Sequence, residues 1–177
     1  MSTILAFAGS NSSTSVNFKL VKYTASLLAG HKVELLNLAN YPFPMYSEDV
    51  EKESGFSNSL VEFRGYISNA DGVIISVNEH NGNVSAYFKN LTDWLSRLDL
   101  NFLKDKKVLL MSASPGKRGA IGALKATEQI LPRFGAASVT TFSLPSFFQN
   151  FDEAKGIVDA DLAEAHAAVV KQFVESL

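Results

Sequence analysis

The sequence predicts an α/β protein in which one parallel sheet is wrapped by helices on both faces. Two observations carry that prediction. Short apolar or β-branched runs alternate along the chain with longer segments of helical period, which is the pattern of strand–helix–strand units. Those short runs are nearly continuous in apolar residues, as strands covered on both faces are.

The strand candidates are ILAFA (4–8), KVELLNL (32–38), GVIISV (72–77), KVLLMSA (107–113) and SVTTFSL (138–144). Val16, Leu20, Tyr23 and Leu27 share one stripe of a first helix, and Val158, Leu162, Ala165, Val169 and Phe173 one stripe of a last. Three more helical patterns cover approximately 57–69, 86–98 and 120–133. Two connections are longer than such folds need, 39–56 with two prolines and four aromatics, and 145–156 with PSFFQNFDEAKG. Loops of that length are usually functional or mobile.

No repeat, low-complexity tract or linker interrupts the 177 residues, so one domain over 1–177 is expected. A chain of this size buries about 70% of the surface its unfolded form exposes, enough for a single packed core. The net charge of −2 comes without a basic stripe, which argues against a nucleic-acid partner. There are no cysteines, which removes disulfides, thiolate chemistry and Cys-based metal sites and favours a reducing, cytoplasmic setting. The opening MSTILAFAG lacks a basic flank and holds an apolar run of only five residues. It is too short for a signal peptide or a membrane span and is expected to be the first strand.

In an open parallel sheet, ligands bind beyond the carboxyl ends of the strands, where the strand order reverses. The loops there are 9–17, 78–85 and 112–119, and they are the polar, glycine-bearing ones. The first, GSNSSTSVN, carries Ser10, Asn11, Ser12, Ser13, Thr14, Ser15 and Asn17 at the start of a helix. Plain N-capping would need one such residue. A cradle for a phosphate would use several, together with the free N–H groups and positive end of the helix. The abundance of hydroxyls favours the cradle. The loop is not a P-loop, for it lacks the Gly-Lys-Ser/Thr ending, and Gly9 stands alone where a dinucleotide fingerprint has three glycines. A serine hydrolase would need a histidine base held by a carboxylate. Of the three histidines, His31 and His166 fall away from this edge, and only His80 lies on it.

These residues resemble the NADPH-dependent FMN reductase family. GSNSSTSVN at 9–17 is similar to its Gly-Ser-x-Arg-x-x-Ser-x-Asn signature, and NEHNGNVSAYFKNLTDW at 78–94 to its Pro-Glu-Tyr-Asn-x-Ser-x-Pro-Gly-x-Leu-Lys-Asn-x-x-Asp-Trp block. SPGKRG at 114–119 falls where the family has a Gly-rich loop, and YPFPMYSEDVE at 41–51 resembles a Leu-Pro-x-Tyr-x-x-Asp-x-Glu segment. Ser12 stands in place of the signature's arginine, His80 in place of a tyrosine, and Asn83, Ser85 and Ala86 in place of a serine and a Pro-Gly pair.

The resemblance implies a flavodoxin-like fold, a five-stranded parallel sheet of order 2-1-3-4-5. It implies FMN with its phosphate at Ser10, Ser12, Ser15, Asn17 and Phe18. The ring system would rest against Asn78, Glu79, His80, Asn81 and Gly82, with the Gly82 backbone near flavin N5. Ser114, Pro115, Gly116, Lys117 and Gly119 would line its other side. NADPH or NADH would be co-substrate, and a small molecule such as a quinone, free flavin or azo dye the electron acceptor. No catalytic side chain, metal or membrane is called for. A homodimer or dimer of dimers is expected, with residues 41–50 near the partner's flavin. An FMN electron carrier without NAD(P)H turnover and a non-redox binding module of the same fold are the competing readings.

Overall fold

The computed structural model describes residues 1–177. In chain order come β1 (Thr3–Ala8), α1 (Val16–Ser26), β2 (Lys32–Leu36), α2 (Glu48–Ser54), α3 (Asn58–Asn69) and β3 (Gly72–Val77). A small hairpin of β4 (Glu79–His80) and β5 (Asn83–Val84) precedes α4 (Ala86–Leu98), β6 (Lys107–Ala113), α5 (Ile121–Ile130) and β7 (Ser138–Leu144). Then follow α6 (Phe147–Asn150), a second hairpin of β8 (Phe151–Asp152) and β9 (Gly156–Ile157), and α7 (Ala160–Ser176). The five long strands are parallel in the order β2-β1-β3-β6-β7. Counting only those strands gives the expected order 2-1-3-4-5. No helix is long and apolar enough to cross a membrane.

Successive side chains of a strand point to opposite faces, and the sheet sorts its apolar residues accordingly. Leu5, Phe7, Val73, Ile75, Val108 and Leu110 meet Phe63, Ile67, Leu91, Leu95 and Leu124 of α3, α4 and α5. Ile4, Ala6, Ile74, Leu109 and Met111 meet Leu20, Val21, Val170 and Phe173 of α1 and α7. Each large side chain so buried contributes about 1.5–3 kcal/mol. Every residue of β3, the middle strand, is buried, whereas the edge strand β2 leaves Lys32 and Leu35 exposed. Helix starts are set by side-chain caps: Ser15, Ser57, Ser85 and Asp159 each accept a hydrogen bond from the N–H three residues on.

The irregular stretches differ from the sequence reading. The second strand stops at Leu36, because the Asn37 side chain accepts from Ala39 N–H and turns the chain into a single 3₁₀ turn. The supposed loop 39–56 contains α2, capped by Ser47, with Glu48, Asp49 and Glu51 in its first turn and Gly55 at φ +65° after its end. The helical pattern over 120–133 ends as an α-helix at Ile130. Pro132, which cannot donate to an α-helical ladder, sits in a 3₁₀ turn over Leu131–Phe134. The last helix begins at Ala160, leaving Val158 outside it, and residues 145–156 are organised by α6 and the β8–β9 hairpin.

The aromatic loop after β2 is seated on its own subunit. Tyr46 packs edge-on against Trp94 at 5.0 Å, and Tyr41 and Phe43 lie against Phe63 and Tyr87. Pro44 O accepts from Trp94 Nε1 at 2.8 Å and Asn90 Nδ2 at 2.9 Å. Asn90 Oδ1 accepts from Tyr46 N–H at 2.7 Å. The Tyr87 hydroxyl donates to Tyr41 O at 2.7 Å, and its burial pushes the phenol well above its ordinary pKa. Exposed apolar surface on this loop narrows to Pro42, Pro44 and Met45.

His166, on α7, is the buried histidine. The Thr24 hydroxyl lies 2.9 Å from both Leu20 O and His166 Nε2, so the ring's polar atom has a hydrogen-bond partner inside the core. Burial lowers the imidazole from 6.5 to about 4. The unfolded chain therefore binds more protons between those values. The stability tied to a neutral His166 is complete above pH 6.5 and lost as pH falls toward 4. The amount is on the order of 3 kcal/mol. Urea midpoints measured from pH 7 to 4 should fall less steeply for His166→Gln than for the parent; parallel curves would refute this assignment.

Candidate functional site

The strand order reverses between β1 and β3, since the chain passes from β1 to β2 on one side and from β3 to β6 on the other. Parallel register brings the carboxyl ends of β1, β3 and β6 level: Ala8 lies beside Ser76, and Val77 beside Ser112. A crevice at this switch point is where doubly wound sheets bind ligands. The loops 9–15, 78–85 and 114–120 form its rim.

The first loop is held from beneath. Gly9 N–H donates to Ser76 O at 2.9 Å, and the buried Ser85 hydroxyl donates to Gly9 O at 3.0 Å. Above that anchor the hydroxyls fold the loop locally. Ser10 Oγ accepts from Ser12 N–H, Ser12 Oγ from Thr14 N–H, and Ser15 Oγ from Phe18 N–H. The N–H groups of Ser10, Asn11, Ser13, Val16 and Asn17 have no partner within the chain. No carboxylate lies in the first turn of α1. The start of this eleven-residue helix thus offers neutral hydroxyls and free amides at its positive end.

Asn17 does something different from what its place in the signature implies. It is 1% exposed. Its Oδ1 accepts from Ala113 N–H and from the Ser76 hydroxyl, both at 2.8 Å, and its Nδ2 donates to Ala113 O at 3.0 Å. The side chain thus bolts the first turn of α1 onto the ends of β3 and β6. Phe18 brings its backbone N–H to the same turn, already engaged by Ser15.

The second loop is a hairpin. Asn81 and Gly82, at φ 53° and 78°, occupy the two left-handed positions of a type I′ turn between His80 and Asn83. Nothing lies within 4 Å of the Cβ that Gly82 lacks, so the tip is open. At the base, Asn78 Nδ2 contacts His80 Nε2 at 3.3 Å, and Asn78 Oδ1 is buried with no hydrogen-bond partner. An orphaned buried oxygen at a crevice calls for a donor from outside the chain. Glu79 turns elsewhere: its Oε2 accepts from Ala123 N–H at 2.9 Å, in the first turn of α5. That helix has no cap of its own, since Ala120 stands at the cap position in a left-handed conformation.

The third loop is stapled at both ends. Gly119 O accepts from the hydroxyls of Ser112 and Ser143, Ser146 N–H donates to Gly116 O, and Phe147 N–H to Ser114 O. Pro115, Gly116, Lys117 and Arg118 form its exposed crest. Neither Lys117 nor Arg118 makes an ion pair, so the rim carries two free cations.

The residues singled out in the sequence therefore gather at one edge, in two roles. Ser10, Ser12, Ser15, Asn78, His80, Asn81, Gly82, Lys117 and their backbone border the crevice, while Asn17 and Glu79 spend their side chains inside the protein. The sequence reading missed the undergirding partners Ser76, Ala113, Gly122, Ala123 and Ser143. The Asn-Gly dipeptide was the available signal for the hairpin; the long-range partners left none.

A model of the family described as NADPH-dependent FMN reductase matches residues 2–149. A quinone reductase of Escherichia coli (strain K12) is 39% identical over 88 residues, 50% of this chain and 47% of that protein. The NADH:(hydroxy)cinnamate reductase subunit CrdA of Vibrio ruber is 32% identical over 128 residues, 72% of this chain and 61% of that one. The chain spans about half the length of the first of these and three fifths of the second. In fold it is similar to FerB, a flavoenzyme NAD(P)H:(acceptor) oxidoreductase from Paracoccus denitrificans, with a TM-score of 0.78 at 24% identity, covering 99% of this chain and 96% of that one. The chain belongs to the NADPH-dependent FMN reductase family.

Proposed function

We propose that this protein binds FMN and acts as an NAD(P)H-dependent oxidoreductase on a small acceptor, with a quinone as the first candidate. The observation that carries the reading is the first turn of α1: unpartnered amides and hydroxyls, without a carboxylate, at the β1/β3 switch point. FMN would supply a centre that takes hydride from a nicotinamide and delivers electrons onward. The relatives named quinone reductase support the choice of acceptor.

The chain's own part is binding and orientation. Val16 and Asn17 N–H, with the Ser10, Ser12 and Ser15 hydroxyls, would hold a phosphate; Ser15 Oγ can donate to it while accepting from Phe18 N–H. Asn78 Oδ1 would accept from a ring N–H of the flavin and lose its orphaned state. The Gly82 amide sits at an open tip where a flat ring can approach its backbone. Lys117 and Arg118 would attract the phosphates of the nicotinamide donor. Gly116 and Gly119 keep the third loop's backbone close to the crevice. The free protein should be yellow or turn so with FMN, and should oxidise NADPH or NADH in the presence of a quinone; a colourless protein inert to all three would refute the reading.

Ser15→Ala should weaken FMN by on the order of 1–2 kcal/mol and riboflavin hardly at all, since only FMN carries a phosphate. Asn17→Ala should cost a similar amount of FMN affinity. It should also cost stability, roughly 1–3 kcal/mol for each buried group it orphans, here the Ser76 hydroxyl and Ala113 N–H. Titration with both flavins, beside urea denaturation, measures the two effects; unchanged FMN affinity in both variants would count against the cradle.

Ser12→Arg restores the charge that the family signature has at this position. It should tighten FMN, or raise the preference for NADPH over NADH, about tenfold. If both quantities stay put, the serine is a neutral replacement.

A homodimer, or a pair of dimers, completes the proposal. Met45 is 69% exposed beside Pro42 and Pro44 on the loop after β2, and Phe148 is 71% exposed on the other long connection. Such apolar patches on soluble proteins tend to mark contacts. Sedimentation at micromolar concentration should give at least twice 19.2 kDa, reduced by Met45→Asp. A clean monomer would end this part of the proposal.

A further inference from the structure

We propose that Glu79 is a positioning residue for the bound flavin ring, acting through α5 rather than by contact; the inference rests on the FMN reading above. The hairpin tip at Asn81 and Gly82 belongs to no larger sheet, for β4 and β5 pair only with each other. Two-stranded ribbons of this length have no stability of their own. Something else must hold the tip over the crevice.

The hold comes from the first turn of α5. The Glu79 carboxylate accepts from Ala123 N–H at 2.9 Å, where the helix has free N–H groups and partial positive charge. Ala120, at the cap position, provides no side-chain oxygen. The carboxylate is therefore the cap of α5, supplied from a different loop. The fit is close on the other side as well. A Cβ on Gly122 would stand 2.7 Å from Glu79 Oε2 and 2.9 Å from Gly82 O. Helix and hairpin are in contact at both the base and the tip of the turn, and only a glycine on α5 permits it.

Two consequences follow for the site. The height of the Gly82 amide over the crevice is referenced to α5, which in turn is packed on the sheet through Ala123 and Leu124. The N-terminus of α5, which follows the third loop, is also filled by the protein's own anion and is closed to a phosphate.

Three variants test this, with flavin titrations as one readout and backbone order as the other. In Glu79→Ala, FMN and riboflavin affinities should fall together, by about tenfold, because the loss is on the ring side; the FMN-to-riboflavin ratio should stay that of the parent. This separates Glu79 from Ser15, whose loss changes the ratio. Glu79→Gln keeps an acceptor for Ala123 N–H and should restore most of the affinity. Gly122→Ala should reproduce the loss by pushing the hairpin away. The ¹⁵N heteronuclear NOE of Asn81 and Gly82 should drop in Glu79→Ala and recover in Glu79→Gln. If Glu79→Ala melts earlier yet binds both flavins like the parent, Glu79 is only a helix cap and the proposal is overturned. Should the parent bind neither flavin, the reading of the site fails by itself, and an NOE unaltered by Glu79→Ala would overturn the positioning role independently.

Discussion

One carboxamide holds the ligand edge together. Three parallel strands end side by side at the switch point, and each end leaves peptide groups that the sheet no longer pairs. Asn17 resolves this for the end of β6. It presents the same donor and acceptor that a neighbouring strand would, matching Ala113 N–H and C=O, and it takes the Ser76 hydroxyl as a third partner. A helix carrying that side chain can dock in one position only. The direction of the α1 axis, and hence of its positive end, follows from this three-way contact. A carboxylate there would offer no donor to Ala113 O.

Around that fixed point the rim is assembled by hydrogen bonds that cross from loop to loop. Ser85 reaches Gly9 O, Glu79 reaches Ala123 N–H, and Ser112 and Ser143 converge on Gly119 O. Each loop is therefore positioned by an element belonging to another. A site made this way needs no catalytic side chain to be specific. It needs donors, acceptors and open faces held at fixed separations, which is the protein's share of the work when a cofactor brings the chemistry.

The sheet and its order were legible in the sequence because buried parallel strands read as unbroken apolar runs, and GVIISV is buried at every position. The first loop was legible as an anion site because so many hydroxyls at a helix start exceed what capping needs. Other features were hidden for definite reasons. Asn17 and Ala113 are 96 positions apart, and Glu79 and Ala123 are 44 apart; no local pattern announces a side chain that caps a distant backbone. The helix α2 carried its signals, Ser47, three acids and Gly55, but prolines and aromatics just before it made the whole stretch look like a loop. Those aromatics looked like an interface because composition cannot tell outward from inward. Trp94 and Asn90, both seizing Pro44 O, turn most of them inward.

The turn at Asn81 and Gly82 carries a chemical liability that its geometry creates. A glycine nitrogen has no side chain standing over it, and one that follows asparagine can attack the asparagine amide, close a succinimide ring and release ammonia. Hydrolysis then leaves an aspartyl or isoaspartyl carboxylate. Both residues are exposed, and apart from its chain neighbours no atom lies within 4 Å of the place where a Gly82 Cβ would stand. The dipeptide that suits the type I′ turn is also where this molecule is most open to ageing by deamidation. Either product would place a new negative charge on the rim, and the isoaspartyl form would also lengthen the backbone at the tip.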